Sequence, residues 1–456
     1  MVEHRFADRS EVRSRIARRF SSRSPINLLK LFPEFYAETW TAWRRILEKL
    51  TPAVREFYAI CGRGAGKSRI MAIIAVCFAI RDYRKAPGER IYVGVFAPDR
   101  KQARITFRYV LGLLHRSELL KVLIEREAQE SVDLTNGVTI EVITASANAP
   151  RSRSYALAII DEAAFLPQED SANPDVELVR AVRPALARVK GSMLAVVGSP
   201  YAQHGVLWEA WQRYKDSPVD DVLVVKAATV ELNPSFDVRA IDKAREEDPI
   251  AAATEYDAQF RSDVEGYVSL ETIMSCIDTG MFERNPLKPE TYYAFTDPAG
   301  GSGTDSMTLA IGHQVDGFMV LDALREQRPP FSPESVVAEF SALLKKYGLV
   351  DVTGDHYGGD WPKESFSRAG ITYNTSDRSK SELYRDSLAF LNSKRIRLLD
   401  NPRLRTQISG LERRTARGGR DSIDHGPGGH DDLANVALGL AGTFLDSDPW
   451  GGRLVL

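Results

Sequence analysis

Through the first 260 positions, short apolar runs alternate with longer amphipathic segments. Residues 57–60, 91–97, 138–144, 156–161, 193–198 and 222–227 have strand length and are mainly apolar, while 70–80 reads as a strongly apolar helix. Apolar strands separated by helical segments predict an α/β unit with a mostly parallel sheet covered by helices. A last helix ends near Phe260, and periodicity weakens over 261–290 among Arg, Asp, Gly, Asn and Pro, so a domain boundary falls there. Beyond it, 292–297, 307–313 and 318–321 read as an antiparallel meander with Gly/Asp turns. A helix over 333–347, a strand over 350–355, a helix near Lys363 and a short strand at Ile371 follow. A helix over 380–391, a strand over 396–399 and helices to Leu445 complete the pattern. The division is therefore a basic arm (1–24), a first domain (25–265), a linker (266–290) and a second domain (291–456).

Where the first of these strands ends, the chain reads I-C-G-R-G-A-G-K-S from Ile60 to Ser68. Gly62, Gly64 and Gly66, interleaved with Arg63 and Ala65, free backbone N–H groups to turn toward an anion. The following helix adds its positive end. Lys67 then reaches the β/γ-phosphates of a nucleoside triphosphate, and the Ser68 hydroxyl serves Mg²⁺. The motif G-x-x-x-x-G-K-[ST] would begin at Cys61, one place before Gly62. Upstream, Phe32, Phe35, Tyr36, Trp40 and Trp43 supply either core or an adenine pocket.

The run A-L-A-I-I-D-E ends a buried strand in two carboxylates, which is costly unless a cation uses them. Asp161 is expected to hold Mg²⁺, directly or through water, and Glu162 to act as general base on the attacking water. Arg151, Arg153 and Arg63 are candidates for an arginine acting on the phosphates across a subunit boundary. Gly198-Ser199-Pro200, at the end of the next strand, is placed to sense the γ-phosphate.

A second group of acids lies in the other domain. Asp297 ends the first meander strand, Asp355 ends the strand after the long helix, and Asp431 and Asp432 open the last helix. In a ribonuclease-H-like sheet the first and fourth strands are adjacent and parallel, and the last helix packs on that corner, so these acids would converge. Clustered carboxylates need divalent cations to stay ionised. Two Mg²⁺ or Mn²⁺ would suit phosphodiester cleavage. Asp305, Asp360 and Asp424 also lie in glycine-containing loops, and His356 and His430 each adjoin an acid. Arg413, Arg414, Arg417 and Arg420 are expected in a basic loop able to clamp phosphates.

Composition narrows the classes. The chain has 456 residues, 43% apolar and 27% charged, with a formal net charge of −2, so contact with nucleic acid must use local basic surface. Arg13, Arg15, Arg18, Arg19 and Arg23, spaced with Val12, Ile16 and Phe20, make the arm a candidate for such contact. The three cysteines, Cys61, Cys77 and Cys276, have no zinc or disulfide spacing. With no apolar run of membrane-spanning length and no secretory leader, a cytoplasmic protein is expected.

The variant G-R-G-A-G-K-S, the strand ending Asp161-Glu162 and the acids closing in G-H-D-D-x-x-N together resemble the large terminase subunit of tailed bacteriophages. The resemblance implies an N-terminal phosphate-loop ATPase of the ASCE/RecA-like class and a C-terminal ribonuclease-H-like nuclease. It implies an ATP-driven motor that packages double-stranded DNA into a procapsid and cuts concatemers. The family's trans-acting arginine is similar in position to Arg151, with Arg153 adjacent enough to leave the choice open, and its nuclease acids fall on Asp297, Asp355 and Asp431, with Asp432 a candidate additional ligand. ATP and Mg²⁺, or Mn²⁺ at the nuclease, are the implied cofactors. The implied partners are the portal protein, the small terminase subunit and further copies in a ring, usually a pentamer, with no membrane. Its place is the host cytoplasm and transiently the procapsid portal, not the mature virion. The other reading of the motifs is a DNA-repair or recombination helicase-nuclease or resolvase.

Overall fold

The structure is a computed structural model that describes residues 24–145, 153–167, 171, 173–355, 360–415 and 421–444. The basic arm thus lies outside the described residues, apart from Ser24. The chain divides into two compact units, Met1–Pro167 with Asn173–Ser262, and Gln168–Ala172 with Asp263–Leu456.

In the first unit, eight strands form one sheet: β1 (Glu56–Cys61), β2 (Ile91–Ala97), β3 (Ile124–Glu127), β4 (Ser131–Leu134), β5 (Val138–Thr144), β6 (Ser154–Asp161), β7 (Met193–Gly198) and β8 (Val222–Ala227). Their order is β3-β4-β5-β2-β6-β7-β1-β8. Every pair from β5 to β8 is parallel. A parallel sheet must be covered on both faces, and strand alternation does this. Phe57, Ala59 and Cys61 of β1 join one core with the helix Lys67–Ala79, whereas Tyr58 and Ile60 join the other with Leu178, Val182 and Leu207. The edge strand β3 and its neighbour β4, antiparallel to the strands they pair with, were not predicted. In β3, I-E-R-E, the last three residues are exposed, leaving no apolar run to read.

The second unit holds β9 (Val264–Gly266), β10 (Ile277–Asp278), β11 (Tyr292–Asp297), β12 (Met307–Val315), β13 (Phe318–Gln327), β14 (Asp351–Gly354), β15 (Thr372–Thr375), β16 (Ile396–Leu399), β17 (Leu411–Thr415) and β18 (Asp421–His425). Seven of these form a sheet in the order β10-β16-β13-β12-β11-β14-β15. The meander β11-β12-β13 is antiparallel, while β11, β14 and β15 run parallel, which is the ribonuclease-H-like arrangement. The helices Lys380–Asn392 and Asp432–Thr443 cover one face and Pro333–Lys346 the other. At Gly439 an added Cβ would lie 2.8 Å from the Phe295 ring, so glycine lets the last helix close on β11.

Two expectations need correction. The stretch 266–290 is not a bare linker: it carries the helix Leu270–Cys276, and Tyr267, Ile273 and Cys276 are buried in the second unit's core. The segment expected to be helical up to Leu445 also contains the hairpin β17–β18, which pairs with β9. Arg413 and Arg414 therefore sit in a strand rather than a loop. Arg417 and Arg420 lie outside the described residues. Among the described residues no helix is long and apolar enough to cross a membrane.

Candidate active sites

The phosphate loop joins β1 to the helix Lys67–Ala79, and its turn depends on Gly64 and Gly66, at φ 77° and 83°. Trp43 ties the preceding segment to the loop by donating Nε1–H to the Ala65 carbonyl at 2.7 Å. Phe32, Phe35 and Trp43 are core residues, whereas Trp40 rests against Gly66 and, with Phe35, Arg69, Arg108 and Tyr109, lines a cavity of about 560 Å³ beside the loop.

Sheet order explains the chemistry at the strand ends. The acid-bearing strand β6 does not adjoin β1; β7 lies between them, so Ser199 emerges between Lys67 and Glu162. Lys67 Nζ donates to Ser199 Oγ at 2.9 Å and lies 3.3 Å from Glu162 Oε1, and the Ser199 N–H donates to Glu162 Oε2 at 3.2 Å. Glu162 adopts φ 50°, a conformation that costs a non-glycine residue energy and recurs at functional sites. Asp161 is buried. Its Oδ2 accepts from Thr106 Oγ1 at 3.1 Å, and its Oδ1 has no hydrogen-bond partner. Burial first, then the charge of Glu162, push its carboxyl up to about 6, against the opposing pull of Lys67 and Thr106. A buried, half-satisfied carboxylate beside a phosphate loop fits a divalent cation.

The arginine candidates separate. Arg153 is held within its own unit by Glu141 at 3.0 Å and by the Tyr92 ring at 5.2 Å, so it is not poised to cross to a neighbour. Arg63 is exposed, 3.4 Å from Glu255. Arg151 lies outside the described residues.

In the second unit, Thr296 of β11 pairs with Gly354 of β14, so the next residues, Asp297 and Asp355, leave adjacent strands at one end. Asp431 precedes the helix Asp432–Thr443 and Asp432 opens it. Asn435, one turn along, donates Nδ2–H to Asp297 Oδ2 at 2.7 Å. The acids act on one another. Burial first, and then Asp355, Asp432 and Asp431, push the Asp297 carboxyl up to about 7, while the Asn435 hydrogen bond opposes this. Asp432 is likewise raised by burial, against the Ser306 N–H that donates to it at 3.2 Å.

Asp355, Asp431 and Asp432 all lie close enough to Asp297 to act on it by charge, but the tightest donor sets combine other residues. Among the described residues, those whose ligand atoms all lie within 4.8 Å of one another are Asp305, His430 and Asp432, and separately Asp424, His425 and Asp431. Asp297 and Asp355 stand outside both sets, close enough to interact by charge. An acid-rich donor set of this kind fits divalent cations. His356 lies outside the described residues.

Several residues at these sites were not singled out from the sequence. Ser306 and Thr106 hold acids by hydrogen bonds. Tyr384 O–H donates to Asp431 Oδ2 at 2.8 Å, and Lys380 Nζ lies 2.6 Å from the same oxygen. Tyr373 O–H donates to the Asp355 carbonyl at 2.8 Å. Gln407 Oε1 accepts from the N–H groups of Leu433 and Ala434 at 2.7 and 3.1 Å, capping the helix that bears the acids. None of these carried a sequence signal, whereas Asn435 did, as the closing residue of G-H-D-D-x-x-N.

Comparison with known proteins adds to this geometry. No curated protein matches the chain. Among solved structures, the large terminase of bacteriophage HK97 is similar at 15% identity and TM-score 0.41, over 89% of this chain and 95% of that one. A mutant ATPase domain of the large terminase of Thermus phage P74-26 is similar at 17% identity and TM-score 0.39, over 50% and 98%. The large terminase nuclease of the thermophilic phage G20c is similar at 17% identity and TM-score 0.33, over 38% and 96%. Residues 59–173 match the family described as terminase large subunit, T4likevirus-type, N-terminal. Over that stretch, which bears the phosphate loop and the Asp161-Glu162 pair, the chain is similar to the N-terminal part of large terminase subunits of that type.

Proposed function

We propose that the protein is a viral DNA-packaging motor that hydrolyses ATP in its first unit and cuts concatemeric double-stranded DNA in its second. The observation that carries the reading is Lys67 held between Ser199 and Glu162 beside the half-satisfied Asp161, in a segment matching terminase large subunits. When the triphosphate enters, its β/γ oxygens compete for Lys67 and draw the ammonium from Glu162. The freed carboxylate then takes a proton from the attacking water. Ser199, bonded to both partners, couples the exchange to β7. Ser68 and Asp161 would hold Mg²⁺, which when bound neutralises charge on the phosphates. An arginine of a neighbouring copy, Arg151 or Arg63, completes the site.

In the second unit Asp297, Asp355, Asp431 and Asp432 would hold Mg²⁺ or Mn²⁺, which when bound activate water and stabilise the leaving 3′ oxygen. Asn435 and Tyr384 orient two of these acids. DNA is held through its phosphates, since a motor must pass any sequence. The portal protein, a small terminase subunit and a ring of copies, a pentamer, are the partners in this reading. The place of work is the host cytoplasm and the procapsid portal, with the protein absent from the mature virion. A two-core helicase-nuclease is less well supported, because among the described residues the phosphate loop is found in the first unit alone.

Two variants test the reading. Glu162→Ala should abolish ATP turnover and leave plasmid cutting in Mn²⁺ intact, and Asp297→Ala should do the reverse. Loss of ATP turnover alone in both would refute the two-site model.

A further inference from the structure

Lys380 opens the helix Lys380–Asn392, and Tyr384 follows on the same face one turn later. The Lys380 ammonium lies 2.6 Å from Asp431 Oδ2 and 2.9 Å from Asp424 Oδ1. Tyr384 donates its hydroxyl to that same Asp431 oxygen at 2.8 Å. With two donors on Oδ2, Oδ1 is left as the Asp431 oxygen available to a divalent cation. His425 donates Nδ1–H to the Gly426 carbonyl at 2.9 Å. Asp424, His425 and Asp431 bring their ligand atoms within 4.8 Å of one another, a donor set suited to a divalent ion, and an ammonium already lies against the two carboxylates.

We infer that Lys380 is a resident cation of the nuclease corner, filling the Asp424–His425–Asp431 place and fixing Asp431 for a divalent ion on its other oxygen. The inference rests on the nuclease reading above. A divalent ion at the same place would meet a positive charge within a few ångströms, so the corner takes fewer metal ions than its acids could hold. Lys380 is thus a positioning residue, acting through Asp431. The side chain is half-buried, and two carboxylates balance its charge where water cannot fully do so.

Counting Mn²⁺ ions bound to the full chain by electron paramagnetic resonance, without nucleotide or DNA, tests this. Lys380→Met should bind one more Mn²⁺ per chain than the unaltered protein, whereas Lys380→Arg, which keeps the charge, should bind the same number. Asp424→Asn should also leave the count unchanged, because the ammonium and not a metal ion occupies that place. An equal count in folded Lys380→Met overturns the inference. So does the loss of one Mn²⁺ in Asp424→Asn, which decides the matter alone if Lys380→Met does not fold. Should the unaltered protein neither bind Mn²⁺ nor cut plasmid DNA, the nuclease reading fails and this inference with it. If it does both while Lys380→Met matches its count, only the inference fails.

Discussion

Asp161→Asn should make the first unit more stable while destroying its ATPase activity. The Asp161 carboxyl is buried, has one oxygen without a hydrogen-bond partner, and is pushed from 3.8 up to about 6, first by burial and then by Glu162. Because its folded-state value is raised, the unfolded chain loses this proton at lower pH than the folded one. Stability therefore falls as pH rises from about 4 to about 6 and is flat above. A shift of about two units corresponds to roughly 3 kcal/mol of penalty at pH 7.5. Asparagine removes the charge and keeps an acceptor for Thr106, but it buries an amide N–H₂ with nothing to receive it, a cost of about 1 kcal/mol or more. The net gain is about 1–2 kcal/mol at pH 7.5, or a few degrees in Tm. At pH 5 the gain should shrink by about 1.4 kcal/mol, since only part of the penalty has developed there. Urea unfolding of the full chain, with the first unit's transition followed separately at both pH values without metal, reads this directly. Unchanged or lower stability at pH 7.5, or a gain that grows toward pH 5, would refute the reasoning.

Other perturbations probe the supporting contacts. Asn435→Leu removes the hydrogen bond that holds the Asp297 carboxyl down, so the carboxylate should form only at higher pH and Mn²⁺-dependent cutting should shift to alkaline pH. At neutral pH the rate should drop about tenfold or more, since hydrogen bonds to charged groups contribute about 1.5–3 kcal/mol; a pH–rate profile checks both. Gln407→Ala leaves two helix-start N–H groups without their cap and should cost the second unit about 1 kcal/mol, measured by denaturant unfolding. Ser199→Ala should lower the ATP turnover rate several-fold with little change in nucleotide affinity, checked by steady-state kinetics.

Much of the scaffold was legible because parallel strands buried on both faces are continuous apolar runs. Residues 91–97, 138–144, 193–198, 222–227 and 396–399 are strands with the predicted ends. The site residues legible in this way are those at strand ends, Asp161, Ser199, Asp297 and Asp355, since chain direction alone puts such residues at the ligand edge of a sheet. The unread elements lack an apolar run: β3 exposes most of its length, and β17 carries Glu412, Arg413 and Arg414 in succession. Nor could the supporting contacts be read, because they join distant positions. Asn435 reaches Asp297 across 138 residues, Tyr384 reaches Asp431 across 47, and Gln407 caps a helix 26 residues on. Arg153 was one of three candidates for an arginine acting across a subunit boundary, and only the fold brings it beside Glu141 and Tyr92.

A crystal grown with Mn²⁺ and a non-hydrolysable ATP analogue would test the two-site claim most directly, through the anomalous signal of the metal. The account predicts Mn²⁺ beside Ser68 and Asp161 against the triphosphate, and further Mn²⁺ held by Asp297, Asp355 and Asp431 in the other unit. Metal at the triphosphate alone, with those three aspartates bare at saturating Mn²⁺, would contradict it.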